Sequence, residues 1–145
     1  MELRKTDVHT ILIVDDDDGI RWILKECLEG IGFDVIAAES GEAALEHIKE
    51  NDFDLIISDL NMPKGDGYWL LSQIKDKAHA PVMIISGETV PCNKLRAMGA
   101  VGLLPKPHKK EDLYSIVDFL LGSCAQNPTR FHSKSFSSAS ISSNL

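Results

Sequence analysis

The chain is short of several things, and each shortage closes off a class of function. Among 145 residues there are three cysteines, Cys27, Cys92 and Cys124. They are far apart, odd in number and without the spacing of a zinc or dithiol motif, so they read as buried or idle thiols. Apolar runs stop at four or five residues, far below the ~20 that a membrane-crossing helix needs. Positive charge is scarce: 15 Lys and Arg stand against 22 Asp and Glu, for a net charge of −7. A surface that follows phosphate backbones needs the opposite balance, and the one basic cluster, Lys106, Lys109 and Lys110, is too small to supply it. Direct nucleic-acid binding and a membrane partner are therefore not expected. Residues 1–7 run into the first apolar stretch without the apolar core of a secretory signal, so a cytoplasmic protein is expected.

What is present is an alternation of two periods. Residues 10–14, 35–38, 55–58, 82–85 and 101–104 are short apolar runs, as strands covered on both faces must be. Between them the apolar positions recur at helical spacing. Asp17 or Asp18 caps a first helix whose inner face is Ile20, Ile23, Leu24, Cys27, Leu28 and Ile31, and Gly32 stops it. Ser40 caps a second, with Ala44, Leu45 and Ile48 inward. Residues 68–77 make a third, with Leu70, Leu71 and Ile74 inward, and Pro91 fits the first turn of a fourth that Gly99 ends. Leu113, Ile116, Val117, Leu120 and Leu121 give a fifth. Five strands alternating with five helices call for an α/β three-layer sandwich. The flavodoxin-like (βα)5 arrangement, a parallel five-stranded sheet in the order 2-1-3-4-5, opens a crevice between strands one and three.

Those two strands end in acids. The first delivers Asp15 and Asp16, the third Asp59, after which Asn61, Met62 and Pro63 stop the strand and the Gly65–Gly67 turn leads into a helix. Three carboxylates at the carboxyl ends of adjacent strands suggest a hard-cation site, since Mg²⁺ prefers oxygen ligands and can hold a phosphate beside them. Asp17 and Asp18 read as caps and solvated acids, Asp66 as a turn residue, and His9, His47, His79, His108 and His132 as surface residues without ligand spacing.

Four separated pieces then line up: Ile-Val-Asp15-Asp16, Asp59 within Ser-Asp-Leu-Asn-Met-Pro, Ser86 closing Met-Ile-Ile-Ser-Gly, and Lys106-Pro107 after the fifth strand. In that order and at those strand ends they resemble the receiver domain of two-component response regulators, over residues 8–122. Residues 1–7 are then a lead-in and 123–145 a serine-rich, flexible tail that builds no core. The resemblance implies a signalling switch rather than an enzyme with turnover on a foreign substrate. Asp59 is the phosphoacceptor, attacking phosphorus to give an acyl phosphate. Mg²⁺, with Mn²⁺ as a substitute, is held by Asp16, Asp59, the Asn61 main-chain carbonyl and, through water, Asp15. Lys106 brings a mobile positive charge and Ser86 a hydroxyl to the phosphoryl oxygens. The donor is a sensor histidine kinase or a histidine phosphotransfer protein. An output protein, or a second copy in a homodimer, reads the surface of the fourth helix, fifth strand and fifth helix.

Departures from the common pattern qualify this. Ser86 stands where threonine is frequent and Leu103 where an aromatic often relays the switch; His108 likewise takes an aromatic's place. The Lys106–Pro107 bond is expected to be cis. Asn61 and Glu88 fall at positions that tune dephosphorylation, and their polarity implies a short-lived phosphoryl state. Two rivals are a haloacid-dehalogenase-like phosphatase, using Asp15 and Asp17 as its Asp-x-Asp pair, and a receiver-like interaction module that takes no phosphate. The first leaves Asp59 unexplained.

Overall fold

A computed structural model describes residues 8–74 and 80–123. In chain order the elements are β1 (Thr10–Val14), α1 (Asp18–Gly30), β2 (Asp34–Ala38), α2 (Gly41–Glu50), β3 (Leu55–Asp59), α3 (Gly67–Ile74), β4 (Val82–Ser86), α4 (Cys92–Ala97), β5 (Ala100–Pro105) and α5 (Lys110–Ser123). The strands form one parallel sheet in the order 2-1-3-4-5, as the alternation predicts. Because successive side chains on a strand point to opposite faces, each apolar run feeds two cores at once. Leu12, Val14, Ile56 and Ile84 pack with α2, α3 and α4. Ile11, Ile13, Ile57, Met83 and Ile85 pack with α1 and α5. A fully buried side chain of this size contributes ~1.5–3 kcal/mol by leaving water. Among the described residues no helix is long and apolar enough to cross a membrane.

The helix ends follow local chemistry. Asp17 is the N-cap of α1 and its carboxylate accepts from the Ile20 N–H at 3.0 Å. At the other end Gly32, with φ of 106°, lets the Gly32 and Phe33 N–H groups reach back to the Glu29 and Leu28 carbonyls, a Schellman closure. Ser40 caps α2 by accepting from the Ala43 N–H at 3.1 Å. The turn residue Asp66 does the same for α3, accepting from the Trp69 N–H at 2.9 Å.

Three expectations need correction. The inner face of α1 is narrower than its apolar pattern: Leu24 and Leu28 are buried, whereas Ile23 is 54% and Ile31 48% exposed. Only positions aligned with the sheet reach the core, and the apolar residues at the flank are left in solvent. Pro91 is the N-cap of α4 rather than a residue of its first turn. Leu121 is half-buried, at the margin of the core. The final turn expected of the third helix, residues 75–77, lies outside the described residues, as do Cys124, His79, His132 and all but the first residue of the tail.

The β3–α3 loop is fastened to α2. The Gly41 N–H donates to the Gly65 carbonyl at 2.8 Å and the Glu42 N–H to the Lys64 carbonyl at 3.2 Å. These two loop carbonyls satisfy N–H groups that a helix start otherwise leaves unpaired. The closeness requires glycine on both sides. A Cβ on Gly41 would stand 2.4 Å from the Gly65 oxygen, and Gly65 itself has φ of 96°. The loop that follows Asp59 is thereby fixed in place.

Candidate functional site

The site is built by three strand ends and the loop after β5. Asp15 follows β1, is 1% exposed, and its N–H continues the ladder to the Ala38 carbonyl at 3.1 Å. Its carboxylate accepts from the Asp17 N–H at 2.9 Å, and its own carbonyl takes the Arg21 guanidinium at 2.7 Å. Arg21 was not singled out by the sequence reading, although its place one turn into α1 aims it back at the strand end. Asp16 is exposed beside it. Asp59 closes β3, with one carboxylate oxygen accepting from the Leu60 N–H at 2.9 Å. Carboxylate oxygens of Asp15, Asp16 and Asp59 lie within 4.8 Å of one another.

Among the described residues a single ammonium answers these acids. Lys106 Nζ stands 3.5 Å from Asp15 and 3.4 Å from Asp59. Its backbone is held by the Lys106 N–H donating to the Ser86 carbonyl at 2.7 Å, and the Lys106–Pro107 bond is cis as expected. Three carboxylates against one cation leave the cluster short of positive charge, and its all-oxygen donor set suits a hard divalent ion. One oxygen of Asp17 is engaged as the cap of α1.

Burial pushes the Asp59 carboxyl above its ordinary value of 3.8; Lys106 opposes this, Asp15 adds to it, and the Leu60 N–H opposes it again. An acid whose pKa is raised by folding holds its proton longer in the native state, so stability falls as pH rises from 3.8 through the folded pKa. Asp59→Asn has no charge to develop. In metal-free solution the mutant should therefore gain on wild type as pH rises from about 4 through the folded pKa, with the difference flat above that. Urea unfolding of both proteins across this range measures it. A difference independent of pH would show that Asp59 is not strained by its surroundings.

Ser86 is 1% exposed, and its hydroxyl is engaged away from the acids. It donates to the Glu88 carbonyl and accepts from the Glu88 N–H, both at 3.1 Å. The Glu88 carboxylate in turn accepts from the Asn61 side-chain amide, joining the loops after β3 and β4. Asn61 and Glu88 are thus brought together, as their positions two residues beyond Asp59 and Ser86 allow.

The description of the response regulator receiver domain family matches residues 11–118. This chain belongs to that family. Receiver domains are signalling switches of two-component systems, not enzymes in the ordinary sense, and they bind Mg²⁺ at an acidic pocket; the Asp15, Asp16 and Asp59 cluster is compatible with such a site. The receiver is 37% identical over 109 residues to the DNA-binding transcriptional regulator NtrC of Klebsiella pneumoniae, covering 73% of this chain and 23% of that protein. It is 33% identical to the transcriptional regulatory protein CpxR of Escherichia coli K12, covering 79% of this chain and 50% of that one. Among solved structures it is similar to the chemotaxis response regulator CheY4 of Vibrio cholerae, with a TM-score of 0.71 and 32% identity over 77% of this chain and 97% of that chain. The receiver therefore spans from under a quarter to half the length of these two curated relatives.

Proposed function

We propose that this receiver accepts a phosphoryl group on Asp59 from a phosphohistidine and uses it to switch a protein-interaction surface. An Asp59 oxygen bonds to phosphorus as the bond from phosphorus to the donor's imidazole nitrogen breaks, and the electron pair leaves with that nitrogen. Such a transfer needs positioning and charge neutralisation more than proton transfer. The observation that carries the reading is the position of Asp59: it ends β3 with Lys106 Nζ at 3.4 Å and the Asp15 and Asp16 carboxylates beside it. Asp15, Asp16, Asp59 and the Asn61 main-chain carbonyl would hold Mg²⁺, whose charge offsets that of the phosphoryl oxygens.

Lys106 would meet one phosphoryl oxygen as a point charge. Ser86 would meet another, exchanging its two bonds to Glu88 for the phosphoryl oxygen and drawing the β4–α4 loop inward. That movement would repack α4, β5 and α5, the surface offered to an output protein or a second copy. A sensor histidine kinase or histidine phosphotransfer protein would be the donor, acting on a domain of residues 8–122 in the cytoplasm. Polar Asn61 and Glu88 beside the site favour a short-lived phosphoryl group.

Beryllofluoride, which copies a phosphoryl group on a carboxylate, tests the acceptor. With Mg²⁺ present it should raise the thermal midpoint of wild type by several degrees and leave Asp59→Asn unmoved. Equal shifts in the two proteins, or none in either, would contradict Asp59 as acceptor.

A further inference from the structure

Two of the three clustered acids, Asp15 and Asp16, stand in the β1–α1 turn, and the side chain that spans this turn is Arg21. Helical side chains lean towards the N-terminus of their helix, so from the first turn of α1 the guanidinium reaches back over the loop. Nη1 donates to the Asp15 carbonyl at 2.7 Å, and Nη2 pairs with the Asp18 carboxylate. The two halves of this fork differ in weight. The Asp18 side chain is 90% exposed, and a pair so open to water contributes little. Asp15 is buried, and the bond to its carbonyl is charge-assisted. That carbonyl lies in the peptide plane that joins Asp15 to Asp16. Holding its oxygen fixes the plane, and with it the Cα from which the exposed Asp16 carboxylate departs. Asp15 is also tied through its N–H to Ala38, and its carboxylate oxygens meet the Asp17 N–H and Lys106. The Arg21 bond differs from these in acting on both acids at once. Nothing in the phosphoryl transfer proposed above uses it.

We propose that Arg21 is a positioning residue for divalent-cation binding: by gripping the Asp15–Asp16 peptide it presents the two carboxylates in a preset arrangement. This rests on the reading of Asp15, Asp16 and Asp59 as the Mg²⁺ site. Partners of this kind, one step behind the ligands, set the aim of the ligands themselves. Charge alone predicts the opposite effect. A guanidinium beside a cation site repels the incoming ion, so on Coulomb's law its removal would tighten binding. If Arg21 acts by position, its removal weakens binding instead, and the sign of the change separates the two roles.

Mg²⁺ titrations of the full chain, followed by NMR at the Asp16 and Asp17 amides, test this. Folded molecules alone give these resonances, and the amides of Ile57 and Met83 in the sheet report that the fold is intact. Arg21→Met should need about 10-fold more Mg²⁺ than wild type to reach half-saturation. Arg21→Lys should recover part of the loss, since an ammonium can still reach the Asp15 carbonyl but does not span both acceptors as the flat fork does. Asp18→Asn, which gives up only the exposed half of the fork, should stay within about twofold of wild type. Binding in Arg21→Met as tight as in wild type, or tighter, would overturn the proposal and leave the metal site in place. A loss in Asp18→Asn as large as in Arg21→Met would overturn it too, because the carbonyl bond would then not be the one that matters. Wild-type amides unmoved by Mg²⁺ would overturn the metal site itself, and the role of Arg21 with it.

Discussion

Lys106→Met should slow phosphoryl uptake at Asp59 by about 10²- to 10³-fold while the domain stays folded. Methionine keeps the length and apolar stem of lysine and removes the one ammonium placed between Asp15 and Asp59, at 3.5 and 3.4 Å. Two effects act in the same direction. The incoming phosphoryl oxygens lose a counter-charge in a partly buried site, where its weight is greater than in water. The Asp59 carboxyl also loses the ammonium that now favours its ionised, attacking form. Lys106→Arg should rescue only in part, because a planar guanidinium is larger than the point charge this gap accommodates. The rate of mass gain with a small-molecule phosphodonor measures all three proteins. An unchanged rate in Lys106→Met would remove Lys106 from the chemistry and leave it as a structural counter-ion.

Gly41→Ala should cost about 2–3 kcal/mol of stability, lowering the thermal midpoint by roughly 10 °C or more. On helix propensity alone the change would stabilise by ~1 kcal/mol, so the sign is diagnostic. The added methyl would meet the Gly65 carbonyl oxygen at 2.4 Å and its carbon at 2.8 Å, and both belong to backbone that cannot rotate aside. Relief requires the β3–α3 loop to withdraw, with loss of the bonds from Gly41 and Glu42 to Gly65 and Lys64. Gly30→Ala is the matched control, since nothing lies within 4 Å of its would-be Cβ. It should be neutral or stabilising by ~0.5–1 kcal/mol. Denaturant midpoints compare the three; a stabilised Gly41→Ala would mean the loop is not clamped. Withdrawal of this loop should also misplace the Asn61 carbonyl, so metal affinity is expected to fall with stability.

What the sequence reveals and what it hides divide on physical lines. Strand order was legible because buried parallel strands write themselves as continuous apolar runs, and because acids at the ends of the first and third marked the crevice. The caps at Asp17, Ser40 and Gly32 were legible for the same reason: each is a local backbone event. The α1 flank was not. Ile23 and Ile31 satisfy helical periodicity as well as Leu24 and Leu28 do, and only the angle at which α1 meets the sheet leaves them in solvent.

In the site, Asp15, Asp16 and Asp59 were named from their strand ends and Lys106 from the resemblance to receiver domains, and the four do converge. The resting direction of Ser86 was not foreseeable, because it depends on Glu88 two residues on, in a loop with no periodicity. Nor was the contact of Gly41 with Gly65, which joins loops 24 residues apart and has no local signature beyond glycine itself.

Intact mass after incubation with Mg²⁺ and a small-molecule phosphodonor tests the acceptor assignment most directly. Wild type should gain one phosphoryl group, with no gain when Mg²⁺ is withheld and none in Asp59→Asn. Equal labelling of Asp59→Asn, or no labelling of wild type under conditions that phosphorylate another receiver, would contradict Asp59 as the phosphoacceptor.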